Sequence, residues 1–129
     1  MAVQLFRSLA CFLAGVLMSV TSVTVNVEIV VGQSAPLSGT NVELGNDIRN
    51  GALAYFKKAN DAGGVNGNNI KLITLDDKNE AKQSGENAKQ FIQKDGAVAP
   101  FGFASSTLSV PAMPGVAAQN ALLCTVYWC

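Results

Sequence analysis

Three consecutive hydroxyl side chains, Ser105, Ser106 and Thr107, follow the run PFGFA. Hydroxyls in a row can supply a nucleophile, cap a helix, or donate hydrogen bonds to an anion. A nucleophilic serine needs a base, and histidine is absent from all 129 residues. That absence removes Ser-His and Cys-His pairs and nearly all common zinc sites. GFASS is not a G-x-S-x-G elbow, and no spacing suggests a Ser-Lys pair. If a helix begins at the triplet, hydroxyls and free N–H groups sit together beside a positive dipole end, a seat for a carboxylate. Plain N-capping uses the same residues, and on residue types alone both readings stand. No catalytic residue, metal site or cofactor is assigned.

The second cluster is Asp76-Asp77, closing IKLITLDD. An acidic residue at a strand end can bond a ribose, which would suit a dinucleotide enzyme. The loop GQSAPLSG, however, lacks G-x-G-x-x-G, so a pyrophosphate cannot approach the backbone there. The simpler reading is a capped helix beside a solvated loop, since Asp77 and Glu80 have capping-box spacing.

These residues need elements to hold them. VEIVVG (27–32) is a β-branched run ending in glycine and reads as a buried strand; QSAPLSGTNVELG then supplies turn residues. Ile48, Ala52, Tyr55, Phe56 and Ala59 recur at helical spacing from Asn46 to Asn60, and Gly63-Gly64 closes the pattern. A turn at GVNGNN leads to a second strand over 70–77. Ala81, Gly85, Ala88 and Ile92 mark the buried side of a second helix ending near Gly96. AVAPFGF (97–103) is the third strand, although Pro100 has no N–H for a central position. A third helix is expected over most of Leu108 to Gln119, and a fourth strand at ALLCTV.

Alternating strands and helices of these lengths predict an α/β fold, a Rossmann-like three-layer parallel sheet. Ligands of such sheets sit beyond the carboxyl ends of the strands. Here that means the loops at Gln33–Gly45, Asp76–Asn79 and Ala104–Thr107, so both clusters fall at one end of the sheet.

Composition narrows the setting. Lys and Arg number 9 and Asp and Glu 9, so no charge excess points to nucleic acid or an anionic membrane. The 49 % hydrophobic content is inflated by the first 31 residues. MAVQLFR followed by the uncharged SLACFLAGVLMSV has the layout of a secretory signal peptide, expected over residues 1–26 with cleavage between Thr21 and Asn26. The competing reading is an uncleaved anchor, because no charge appears between Arg7 and Glu28. Cys11 lies inside the apolar run rather than after it, which does not suit a lipidated cysteine. Cys124 and Cys129 could close a small terminal loop.

The ordered set G-x-x-x-P-L-S-G after the first strand, G-A-x-A-x-x-x-x-x-N-x-x-G-G-V-x-G at the first helix exit, L-x-x-x-D-D and G-x-x-S-S resembles one family. It is that of the extracytoplasmic (periplasmic) solute-binding proteins of ABC importers, more narrowly the branched-chain amino acid or leucine-binding group. The resemblance covers residues 27 to about 120. It implies a type I periplasmic-binding-protein fold, with two lobes closing on a small solute that is passed to a membrane permease, and no catalysis. It also implies that Ser106 holds the ligand α-carboxylate, with Ser105 and Thr107 beside it and Leu44 over the ligand; Ser34 and Ser38 are further loop candidates. The bound solute would be a branched-chain or related amino acid, or another small solute.

On this resemblance residues 27–123 are part of the first lobe, and 124–129 depart from the family. Only Thr125 remains of a second binding loop, and the second lobe is absent. The expectation is weak binding or none, from a truncated or frameshifted product. The alternatives are a ligand-sensing domain of a receptor or regulator and a non-functional gene fragment.

Overall fold

A computed structural model describes residues 27–119 and 123–125. The expected signal peptide with Cys11, and Cys129 of the suggested terminal disulfide, lie outside the described residues. Four parallel strands form one sheet in the order β2-β1-β3-β4, with β1 Ile29–Ala35, β2 Ile70–Asp76, β3 Ala99–Phe103 and β4 Cys124–Thr125. Helices α1 (Val42–Asp61) and α2 (Ala81–Gln93) make the first two crossovers. After β3 the chain runs through α3 (Ser106–Ser109), a 3₁₀ turn at Val110–Ala112 and α4 (Met113–Ala117).

Strand β1 does not stop at Gly32, as its sequence suggested, but continues through Gln33, Ser34 and Ala35 in unbroken register with β2. The Phe91 ring of α2 lies directly over Gly32, so glycine here makes room for a helix instead of ending a strand. Helix α1 likewise starts four residues earlier than its apolar spacing indicated, at Val42. Its end follows the expected pattern, with the Gly63 and Gly64 amides returning to Asn60 and Ala59 carbonyls at 3.0 and 2.9 Å. Asn60 then bonds both backbone groups of Ile70, accepting from its N–H at 2.8 Å and donating to its carbonyl at 2.9 Å. One side chain thereby fixes the start of β2 against the end of α1.

Pro100 sits opposite Gly32 in an inner strand with no N–H to give, and the flanking pairs Val31–Ala99 and Gln33–Phe101 carry the ladder. Gly102, at φ 74°, adopts a conformation side chains disfavour and breaks the β3–β4 register. That twist turns Phe101 and Phe103, two residues apart, to opposite faces. Phe101 meets Phe56 of α1 edge-on at 6.1 Å. Phe103 joins Ala88, Ala104, Leu108, Ala112 and Val116 in the buried core between the sheet, α2 and the α3–α4 segment.

The layers are thus unequal. The single long third helix is replaced by short pieces, because Pro111 and Pro114 remove helical N–H donors. Even so, these pieces bury Leu108, Ala112 and Val116. On the other face α1 is only partly covered: Gly45 is its one buried residue among those described, and Tyr55, expected on the inner side, is 68 % exposed.

Gly45 and Gly51 make a matched test of this arrangement. A Cβ on Gly45 would overlap the Pro36 carbonyl oxygen, whereas a Cβ on Gly51 meets nothing. Gly45→Ala is expected to destabilise by about 1–3 kcal/mol through overpacking, and Gly51→Ala to stabilise by roughly 0.5–1 kcal/mol through helix propensity. Urea unfolding midpoints check both signs.

Candidate functional site

The carboxyl ends of β1, β2 and β3 present three loops on one edge of the sheet. The first two are tied by the Asp pair. Asp76, the last residue of β2, accepts hydrogen bonds from the backbone N–H of Leu37 at 2.8 Å, Ser38 at 3.3 Å and Lys78 at 2.9 Å, and from the Ser38 hydroxyl. Asp77 is fully buried; it accepts from the Ser34 hydroxyl at 3.0 Å and from the Asn79 N–H at 2.9 Å. Asn79 reaches back to the Thr40 hydroxyl at 3.2 Å.

This changes the reading of the pair. Asp77 is not half of a capping box: Glu80 occupies the N-cap of α2 without a side-chain cap bond, and its N–H goes to the Asp77 carbonyl at 2.7 Å. Nor is the loop simply solvated, since the carboxylates of residues 76 and 77 are spent holding loop backbone.

Their electrostatics differ accordingly. For Asp76, burial pushes the pKa up, but the Ser38 hydroxyl and the amides of Lys78, Leu37 and Ser38 outweigh it and hold the carboxyl below the usual 3.8. For Asp77, burial dominates and, with the neighbouring Asp76 charge, raises the pKa above 3.8 against the pull of the Asn79 amide and Ser34 hydroxyl.

Two buried polar residues of α2, which the sequence reading passed over, complete the framework. Asn87 donates to the Ser34 hydroxyl at 3.2 Å and the Asp76 carbonyl at 3.1 Å, and accepts from Gln83 at 3.0 Å. Ser84 donates to the Leu108 carbonyl at 2.7 Å. Their signal was present: Ser84, Asn87, Ala88 and Phe91 share one helical face, i, i+3, i+4, i+7, and polar members of an inward stripe require partners.

The third loop carries the triplet. Ser105 takes the N-cap position of α3 with extended backbone, yet its hydroxyl makes no cap bond and pairs with the Thr107 hydroxyl at 2.8 Å. Capping falls to its carbonyl, which accepts from the Leu108 and Ser109 N–H groups at 3.2 and 3.1 Å. Ser106 and Thr107 are exposed. The plain side-chain N-cap is therefore not formed, and at four residues α3 has little dipole to offer. What the loop presents outward is a set of neutral hydroxyls.

Ser34 is fully buried, with its hydroxyl engaged to Asp77 and Asn87; Ser38 is exposed but bonded to Asp76. Leu44 lies in the first turn of α1, 42 % exposed, next to the Gly45–Pro36 contact. A cavity of about 310 Å³ lined by Gln83, Asn87, Gln90 and Lys94, among others, runs along α2 and not at the triplet. Among the described residues no three His, Cys, Asp or Glu side chains group as metal ligands, and no helix is long and apolar enough to cross a membrane.

A parallel sheet with helices on both faces and loops gathered at the strand ends defines an α/β lobe of the Rossmann-like kind. Residues 28–128 match the periplasmic binding protein family, and the chain belongs to it. It is 35 % identical over 85 residues to an amino acid binding protein of Pseudomonas aeruginosa, covering 66 % of this chain and 23 % of that one. It is 36 % identical over 96 residues to the Leu/Ile/Val-binding protein homolog 1 of Brucella abortus, covering 74 % and 25 %. The crystal structure of a possible leucine/isoleucine/valine-binding protein from Rhodopirellula baltica superposes with a TM-score of 0.70 at 27 % identity, over 74 % of this chain and 26 % of that one. The chain spans about a quarter of the length of these relatives, and its α/β fold is that of part of a type I periplasmic binding protein.

The Asp pair gives stability opposite pH dependences. Asp76, with its lowered pKa, contributes stability that is present above the ordinary carboxylate value and lost as pH falls through its folded value. Asp77, with its raised pKa, favours the folded state at low pH and costs stability as pH rises through that value. Asp76→Asn is expected to cost about 1–3 kcal/mol at neutral pH through lost charge-assisted bonds and to shrink the acid-side loss. Denaturant unfolding from about pH 3 to about pH 7 measures both.

Proposed function

We propose that the chain forms part of the first lobe of an extracytoplasmic solute-binding protein for branched-chain or related amino acids, which delivers its ligand to an ABC permease after export. The observation that carries this reading is the outward hydroxyl cluster Ser105-Ser106-Thr107 at the end of β3, beside two loops already fastened to each other. Ser106, exposed and with a hydroxyl that makes no hydrogen bond among the described contacts, holds the ligand carboxylate. Ser105 and Thr107 support it, and Leu44 covers apolar atoms of the ligand. Ser34 and Ser38 serve the loops, because their hydroxyls are engaged by Asp77 and Asp76. Similarity to an amino acid binding protein and to a Leu/Ile/Val-binding protein homolog supports the ligand class.

A small ligand gains affinity by being enclosed, and the described residues offer one wall. The 129-residue chain is therefore expected to bind L-leucine with a dissociation constant in the millimolar range or weaker, about −4 kcal/mol at most. In an NMR titration leucine should shift the amides of Ser105 to Thr107, and leucinamide, which lacks the carboxylate, should not. Ser106→Ala should weaken the response by about 1–3 kcal/mol. Equal shifts from both compounds, or no effect of the substitution, would sink the assignment; micromolar binding in calorimetry would show that one wall suffices.

A further inference from the structure

Three loops from three separate strands must hold fixed relative positions if they are to face one ligand, and each is tied to the same short stretch of α2. Asn87 spans the first two strand ends, donating to the Ser34 hydroxyl in β1 at 3.2 Å and to the backbone carbonyl of Asp76 in β2 at 3.1 Å. Its own carbonyl is held by Gln83 at 3.0 Å, so the amide orientation is set from outside the pair it bridges. One turn earlier, Ser84 donates to the Leu108 carbonyl at 2.7 Å and so holds the segment that follows the hydroxyl triplet. Between them Gly85 sits close under the Pro111 carbonyl, which lets that segment come near enough for the Ser84 bond. All three residues are buried.

From this geometry we infer that the Ser84–Asn87 turn of α2 is the bracket that aligns the strand-end loops, and that Asn87 is a positioning residue for the solute site. Asn87 touches no part of the proposed ligand seat. It acts through Ser34, whose hydroxyl passes the constraint to Asp77 and the second loop, and through Asp76, whose carboxylate holds the amides of Leu37 and Ser38. Ser84 does the same for the third loop independently. The alignment of loops is read from the hydrogen bonds; its importance for a solute rests on the function proposed above.

Amide hydrogen exchange by NMR on the full chain tests the bracket without reference to any ligand. Asn87→Ala is expected to speed exchange at Leu37, Ser38 and Lys78 by about tenfold or more while Leu108 and Ser109 change little, and Ser84→Ala to do the reverse. Gln83→Ala, at a half-buried position whose side-chain amide donates to Asn87, provides a milder variant that leaves the Ser34–Asp77 bond in place. It should loosen the same first-loop amides, and the Gln83→Ala, Asn87→Ala double variant should be no looser than Asn87→Ala alone. A uniform rise in exchange over the whole sheet in both Asn87→Ala and Gln83→Ala, strict additivity in the double variant, or less than a twofold change at Leu37 and Ser38 in Asn87→Ala overturns the inference. L-leucine titrated into the same samples separates the two proposals. If leucine shifts the triplet amides of the wild-type chain, Asn87→Ala should weaken that response several-fold, and an unchanged response overturns the positioning role. If leucine shifts nothing in the wild-type chain, the solute reading and the positioning role fall together, and the exchange data decide the bracket alone.

Discussion

The structure depends on how the carboxyl end of β1 is satisfied. Ser34 lies in the middle of the sheet with no exposed surface, where an unpaired hydroxyl costs about 1–3 kcal/mol. It is satisfied by donating to Asp77 and accepting from Asn87. Asp77 would itself be costly, as a buried carboxylate without an ion pair among the described residues. It stays because the Ser34 hydroxyl and the Asn79 amide both point at it. Each group in this cluster is the solution to its neighbour's burial, so the first two loops and α2 are fixed together or not at all. Asp76 can then collect four donors at the surface, because the backbone that carries them is already in place.

Hydrophobic packing distributes the remaining cohesion unequally between the two faces. The α2 side holds Phe91 over Gly32 and a continuous cluster from Ala88 to Val116, closed by Ile92 and Leu123. The α1 side relies on Phe56 against Phe101, on Ile48 near Gly102, and on the Asn60 clamp to Ile70. Gly102 joins the two sides. Without the register break it introduces, the alternation of a strand would send both Phe101 and Phe103 to one face, leaving either the α2 core or the α1 contact without its aromatic. The bend also directs the chain into Ala104 and the triplet, so the same residue balances the layers and aims the candidate site.

Strand and helix order was legible in the sequence because hydrophobic period and glycine punctuation act locally, and the parallel sheet followed from element order alone. The boundaries at the first loop were not. Gly32, Ser34 and Asn41 look like turn residues, and the tertiary reasons that place Gly32 and Ser34 inside a strand lie 59 residues away at Phe91 and 43 away at Asp77. The expected single third helix fails for a local reason: Pro111 and Pro114 each remove a backbone N–H, so the segment divides into short pieces. The serine triplet was legible as an outward feature, but its hydroxyls do not make the local cap bonds that residue type implied. Ser84 and Asn87 were overlooked because the buried side of α2 was traced by its apolar members, which are the residues that need no partner.

The chemistry at the strand ends also sets what this surface can grip. An amino acid presents a carboxylate and an ammonium, and the two ask for opposite partners. Under the proposed function the triplet would meet the carboxylate with neutral donors, which require no buried cation and so carry little desolvation cost. For the ammonium the obvious partners would be Asp76 and Asp77, yet both carboxylates are committed to loop hydrogen bonds, and withdrawing either would release the Ser34 or Ser38 hydroxyl and the amides they hold. Glu80 stands at the N-terminus of α2, where the N–H groups of the helix itself compete for its charge. On the proposed reading, the strand-end hydroxyls are left for the acidic end of a ligand while the acidic residues beside them are consumed in holding the shape, and the division of labour follows from a limit: a carboxylate that organises three backbone amides and a hydroxyl has no lone pair to offer a ligand.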